Sequence, residues 1–227
     1  MVGFGSWWGM DYLRGFEAMY PTLPHAGKVA LIAILLWTVI SISLHELAHG
    51  WTAIRCGDDT PRLLGHMTLD PIKHMGLAGL VALALTGYSW GAMPVNASNL
   101  RRRHDDALVA FAGPLTNVLL ALLCVGGLVL SAKMLQGDAK RYGFIVFLLG
   151  FSQNIRLAIF NMFPVPPLDG SRIAASFIPG MRNFVYSPGA AVVGLIFVLT
   201  IAPRLINPAE GWVVEQTFIL LRSLGWL

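Results

Sequence analysis

The run Lys28–Arg55, KVALIAILLWTVISISLHELAHGWTAIR, decides the fold, because Glu46 is its only formal charge between the two ends. At about 1.5 Å rise per residue such a run crosses a hydrocarbon core of about 30 Å, and it predicts a transmembrane helix over Lys28–Ile54. Inside it stands His45-Glu46-Leu47-Ala48-His49. On a helix the two histidines lie one turn apart on one face, so both imidazoles reach a single Zn²⁺ while Glu46 sits beside the open coordination position. Counted from Arg55, His49 lies about 9 Å and His45 about 15 Å along the axis. Two histidines and a glutamate in hydrocarbon are costly unless a partner or a metal compensates them.

Working outward, the composition agrees with a membrane setting. Of 227 residues 56% are hydrophobic and 12% charged, against about 25% charged in soluble domains. The apolar runs consume nearly the whole length, which predicts one membrane-embedded domain over 1–227 and no large soluble accessory domain. The net charge of +4 is spread over short connections, with one cluster at Arg101, Arg102 and Arg103. No aromatic-basic interleaving accompanies it, so it reads as membrane-surface anchoring and not nucleic-acid binding. Cys56 and Cys124 fall in or beside different apolar runs, which excludes a disulfide framework and a cysteine metal site. Residues 1–24 lack the basic head and apolar core of a cleavable signal. They mix Trp7, Trp8, Tyr12, Phe16 and Tyr20 with Asp11, Arg14 and Glu17, as an interfacial lead-in does.

Beyond the first span, Gly57-Asp58-Asp59-Thr60-Pro61 breaks the helix, and Pro61–Pro71 reads as a small β-hairpin or irregular loop. Residues 76–92 are apolar but short and glycine-punctuated, and either cross or dip in and return. A second long helix is predicted over Asp105–Ala132, a polar loop over Lys133–Tyr142, and a third helix over Gly143–Phe163. Pro164, Pro166 and Pro167 stop it immediately before Asp169-Gly170. Residues 189–204 predict a further transmembrane helix, and 209–227 an interfacial one carrying Trp212 and Trp226. The expected fold is an all-α polytopic membrane protein of about four transmembrane helices, with a re-entrant segment and a small β-hairpin near the active site.

A catalytic zinc takes three protein ligands and leaves a fourth position to water. Asp169, at the membrane-proximal end of the third helix, is the best candidate for the third ligand. It meets His45 and His49 only if that helix ends on the side where the first one ends. The metal site therefore requires residues 76–92 to enter and leave on one face. In that arrangement the Lys and Arg balance leans slightly to the Arg55 side and places the site nearer the cytoplasmic face.

Three separated motifs then converge. The chain resembles the site-2 proteases, the intramembrane zinc metalloproteases of peptidase family M50. The resemblance rests on His45-Glu46-Leu47-Ala48-His49-Gly50, on Phe111-Ala112-Gly113-Pro114-Leu115-Thr116-Asn117, and on Asn161-Met162-Phe163-Pro164-Val165-Pro166-Pro167-Leu168-Asp169-Gly170. It is closest in kind to the compact prokaryotic branch without PDZ or CBS domains, and covers a catalytic core over 28–185. Two departures, Met-Gly-Leu-Ala-Gly after His74 and a shortened stretch before Pro94, alter loops near the entrance and not the ligands. The resemblance implies one Zn²⁺ per chain held by His45, His49 and Asp169, and Glu46 as general base toward a zinc-activated water. It implies Asn161 as oxyanion donor. Asn117 is either a substrate or oxyanion contact or a helix-packing residue, and Gly113 and Pro114 are packing and kink residues. Arg156, a charge within the third helix, needs a partner or an exit, and an ion pair with it is the alternative use of Glu46. The implied partners are a transmembrane-helix substrate and the bilayer of a prokaryotic cell membrane; a homo-oligomer is possible but not indicated. The competing function is a metal-transporting or metal-storing membrane protein with the same His and Asp ligands, which predicts a polar path on both sides of the site.

Overall fold

The computed structural model describes residues 8–226 apart from Tyr88, Arg103, Pro179, Tyr186 and Pro188. Expectations that rest on Met1–Trp7, on the side chains before Arg14 and on Arg103 lie outside the described residues. Among the described residues the chain is helical throughout and holds no strand.

After a short helix α1 (Trp8–Met19), the long apolar run forms α2 (Ala26–Cys56). It ends where Gly57 takes a left-handed backbone, φ +110, and returns its N–H to the Ala53 and Ile54 carbonyls. Two further helices, α5 (Asp105–Met134) and α6 (Gly137–Asn161), are also long and apolar enough to cross a membrane, which makes three such helices among the described residues. Their outward faces are apolar, as with Ile32, Leu36, Leu119, Leu122 and Leu123, and suit hydrocarbon rather than water.

The polar loop expected over Lys133–Tyr142 does not exist. Leu135 and Gln136 alone separate α5 from α6. Asp138, Lys140 and Arg141 mark where the helix leaves hydrocarbon, not where its backbone unwinds, and Asp138 and Arg141 form an exposed i,i+3 pair. Small residues let the helices close on one another: a side chain at Gly127 would strike Phe147, and one at Gly150 would strike the Trp37 indole. The Trp37 Nε1–H donates to the Val146 carbonyl at 2.9 Å, tying α2 to α6.

The expected β-hairpin is replaced by one helical turn, α3 (Thr60–Leu63), followed by bends. A side chain satisfies this loop in place of strand pairing. Asp58, fully buried, accepts from the Thr60 amide and hydroxyl, from the Asn99 Nδ2–H at 2.9 Å and from the Asn96 amide at 2.7 Å. It thereby fastens the exit of α2 to the 3₁₀ turn Ala97–Asn99. Between them lies α4 (Pro71–Thr86), capped by Asp70 and interrupted at Gly76, φ +65 and ψ 167. Met75 and Leu83 pack it onto Ile42 of α2. The Ala92 amide returns to the His74 carbonyl at 2.9 Å and the Arg101 amide to the Cys56 carbonyl at 3.1 Å. Residues 57–104 thus leave from and come back to the same end of α2, so α5 starts where α2 stops.

After α6 come two short helices, α7 (Asp169–Phe177) and α8 (Met181–Val185). Over the stretch 189–204 the chain forms α9 (Ala190–Thr200), followed at once by α10 (Ala202–Ser223). The eleven residues of α9 extend about 16 Å, about half of a hydrocarbon core.

Candidate metal centre

His45 and His49 lie where α2 is buried among α5, α6 and α7. The third group arrives from the other end of the chain. The prolines end α6, Leu168 leads into α7, and Asp169 is the first residue of that helix. A Cβ on Gly170 would overlap the Met162 and Phe163 carbonyls, so the turn closes only with glycine there. The Ser171 hydroxyl donates back to the Leu168 carbonyl at 2.7 Å.

The carboxylate of Asp169 stands 3.1 Å from His45 Nε2 and 3.3 Å from His49 Nε2, and the two Nε2 atoms are 2.9 Å apart. Ligands about 2.0–2.1 Å from a tetrahedral zinc lie about 3.3 Å from one another, so these atoms already mark one face of such a tetrahedron. His45, His49 and Asp169 are the cluster of metal-ligating side chains found among the described residues, and all three are buried.

The surroundings dictate which atoms face the centre. His45 Nδ1 lies 2.6 Å from Asn117 Oδ1, and His49 Nδ1 lies 2.6 Å from the Val109 carbonyl. A carbonyl only accepts, so His49 carries its proton on Nδ1. The same follows for His45 through a chain of amides: the Asn154 amide donates to the Gly150 carbonyl at 2.8 Å, and the Asn117 amide donates to Asn154 Oδ1 at 3.0 Å. Asn117 Oδ1 is therefore left to accept from His45. Both Nε2 lone pairs then point at each other and at Asp169 Oδ2, a buried oxygen without a hydrogen bond. Converging lone pairs with no donor between them fit a cation. Burial raises the Asp169 carboxyl, but charge and hydrogen bonds from His45 and His49, when these rings carry protons in place of a cation, lower it below the usual carboxylate range; a bound cation would act in the same direction and keep it an anionic ligand.

Gly113 is what lets α5 approach. A Cβ built there would sit 2.5 Å from His45 Nε2 and 2.6 Å from its Cε1, and closer still to His49 Nε2. Pro114, fully buried, removes a rung of the α5 ladder in the turn next to Val109. In this arrangement Asn117 orients the His45 ring through its Oδ1. Asn154 and the Val109 carbonyl, absent from the sequence reading, share that work. Asn154 lies two helical turns before Asn161 on α6, and that spacing was its one visible signal.

Glu46 is buried beside the ligands, and Arg156 does not pair with it: the Arg156 Nε–H donates to Glu210 of α10 at 2.8 Å. The backbone following α4 passes over Glu46 so closely that a Cβ on Gly91 would fall 2.5 Å from its Oε1. Met67 and Met93 likewise close over Gly50. Nearby, His66 faces His74 with ring centroids 6.4 Å apart. Burial, then the charges of His74 and Lys73, lower its affinity for a proton below the ordinary histidine range. Asn161 ends α6 with its amide on the Leu157 carbonyl at 3.0 Å, a bond within its own helix.

Comparison with known proteins follows the same lines. The profile of peptidase family M50 matches residues 32–141 and 125–201. Among the relatives the chain matches are several named "Putative zinc metalloprotease". YwhC of Bacillus subtilis is 33% identical over 77% of this chain and 84% of its own. Rip2 of Mycolicibacterium smegmatis is 34% identical over 84% and 73%, and Rip2 of Mycobacterium tuberculosis 33% identical over 95% and 82%. No solved structure matches the chain.

Proposed function

The chain belongs to peptidase family M50 and is an integral-membrane zinc metalloprotease, and from that premise we propose that it cleaves peptide bonds within transmembrane helices of other membrane proteins. The observation that carries this reading is the depth of the site. His49, Glu46 and His45 lie about 9–15 Å inside a helix long enough to span a bilayer. A soluble substrate does not reach that level, whereas an unwinding transmembrane segment does. Residues 57–104, which start and finish at one end of α2, act as a re-entrant unit that keeps Asp169 on the histidines' side. That side is the cytoplasmic one in a prokaryotic cell membrane.

Zn²⁺ bound by His45, His49 and Asp169 supplies Lewis acidity toward a carbonyl oxygen and acidifies water. Glu46, one residue from a ligand and held under Gly91, accepts the proton of the attacking water. It then returns that proton to the departing amine nitrogen. Asn117 and the Val109 carbonyl keep the imidazoles in one tautomer throughout. Asn161, by releasing the Leu157 carbonyl, turns its amide to the oxyanion. Pro164–Pro167 and the segment over Glu46 line the aqueous cavity that hydrolysis within lipid requires. The chain works without nucleic acid and needs no second copy for its ligand set. Metal transport or storage, the alternative reading, is disfavoured by membership of a peptidase family.

The deciding experiment compares wild type with Glu46→Gln on a model transmembrane substrate in proteoliposomes, with zinc content measured in parallel. Loss of cleavage at unchanged zinc supports the assignment, and cleavage that persists in Glu46→Gln refutes it.

A further inference from the structure

A cavity of about 470 Å³ lies apart from the metal centre, between the loop 97–102, the start of α5 and the far end of α7 with α8. Its polar lining includes Ser98, Arg101, Arg102, Asp106, Ser176 and Arg182. The lining carboxylate, Asp106, is neutralised by Arg172 at 2.6 Å. Among the described residues no carboxylate lies within ion-pair distance of Arg101, Arg102 or Arg182. Three arginines thus line one space in which Asp106 is already paired with Arg172 and Asp105 accepts from the Arg102 main-chain amide, leaving an excess of positive charge. An anion is the ligand such a lining selects, and the planar fork of arginine suits phosphate oxygens.

The level of the cavity identifies the source of that phosphate. The Arg101 amide bonds the last carbonyl of α2, that of Cys56. One turn deeper on α2, Trp51 is 55% exposed and Arg55 lies 4.7 Å over its ring, the pairing of aromatic and basic groups found at a membrane–water boundary. Exposed Ile178 lines the cavity with the arginines, and its chain neighbour Phe177, on which His104 stacks at 5.2 Å, and Phe184, two residues from Arg182, are also exposed. A soluble phosphate would leave these residues facing water. A lipid phosphate fills the basic cavity while its acyl chains cover the apolar rim.

We propose that this cavity binds the phosphate of an anionic phospholipid headgroup, with Arg101, Arg102 and Arg182 as its ligands. The headgroup then bridges α7 to α5 and the 97–102 loop. One end of α7 is thus pinned by lipid and the other carries Asp169.

The test is lipid binding to the purified full-length chain in detergent, read by native mass spectrometry and independent of proteolysis. The probes are phosphatidylglycerol and, as the zwitterionic control, phosphatidylcholine. At about 1 kcal/mol per basic residue near the surface, Arg101→Gln with Arg182→Gln is expected to bind phosphatidylglycerol roughly 30-fold more weakly. Arg101→Lys with Arg182→Lys, which keeps both charges, is expected to restore most of that affinity. Inorganic phosphate at millimolar concentration is expected to leave the lipid in place. Equal binding by the glutamine variant at unchanged zinc content, or equal affinity of wild type for both lipids, overturns the proposal. Displacement by inorganic phosphate overturns the lipid assignment in favour of a soluble anion. Should the glutamine variant fail to fold, raising salt on wild type decides: phosphatidylglycerol alone must weaken, and insensitivity to salt refutes the site.

Discussion

Replacing Asn117 by leucine, nearly the same in volume, removes the acceptor that faces His45 Nδ1 and leaves the rest of the ligand set in place. Asn117 is fully buried, so water does not substitute for it. The His45 N–H, now bonded at 2.6 Å, is left unpaired, at a cost of about 1–3 kcal/mol. Alternatively the proton moves to Nε2 and the ring no longer offers a lone pair to the metal. Since about 1.4 kcal/mol corresponds to a tenfold change in a binding constant, zinc affinity should fall roughly 5- to 150-fold. That range agrees with the loss of about 10- to 100-fold seen when outer partners of metal-binding histidines are removed. Competition against a chromophoric zinc chelator in detergent measures it, and the absorption of the Co²⁺-substituted protein reports any change in ligand geometry. Asn154→Leu should give a smaller loss, because Asn117 keeps its oxygen but loses the bond to Asn154 that orients it. Asn154→Asp, which still accepts from Asn117, should bind zinc nearly as wild type. If Asn117→Leu binds zinc within about twofold of wild type, or Asn154→Asp weakens it as much as Asn154→Leu, the amide chain does not orient the ligand and the reasoning fails.

Gly113→Ala should lose stoichiometric zinc and lower stability by about 1–3 kcal/mol, because its methyl group enters the space of the His45 and His49 rings; metal analysis and thermal unfolding read the two effects separately. Asp58→Asn should destabilise the chain by about 2 kcal/mol at neutral pH, since it replaces the charged acceptor of the loop's hydrogen bonds. Burial opposes ionisation of Asp58, but the donors from Thr60, Asn99 and Asn96 outweigh it and hold its carboxyl below the usual value. A carboxyl depressed in the folded state stabilises fully above its unfolded value, about 3.9, and loses that contribution as pH falls through the folded value. The gap between wild type and Asp58→Asn should therefore be wide at pH 7 and close in strong acid, as pH-dependent unfolding would show.

How far the sequence revealed this arrangement differs from residue to residue. The first two long helices were legible because hydrocarbon demands uninterrupted apolar length, and α2 and α5 meet that demand within two residues of expectation. The His45–His49 spacing fixed a shared face, and the need for a third ligand pointed to Asp169 across the whole chain. The connection between α5 and α6 was misread because Lys133, Asp138, Lys140 and Arg141 signal contact with water, which a helix tolerates as readily as a loop. The 61–71 stretch stayed open between hairpin and irregular loop because turn residues flank hairpins and bends alike; what chose bends was the buried carboxylate of Asp58, whose partners lie 38 and 41 positions away. Val109 carries no local signal and Asn154 only its two-turn spacing from Asn161, since their contacts exist only where three helices converge.

The near-contact of Gly91 with Glu46 has a kinetic consequence. Where a side chain guards a catalytic group, a rotamer flip opens the way in picoseconds to nanoseconds. Here the cover is main chain, anchored through Ala92 to the His74 carbonyl. Entry from that side requires a concerted shift of a backbone segment, on the microsecond-to-millisecond scale of loop and lid motions. If admission past this backbone limits turnover, substitutions in residues 89–93 should change kcat without touching a ligand.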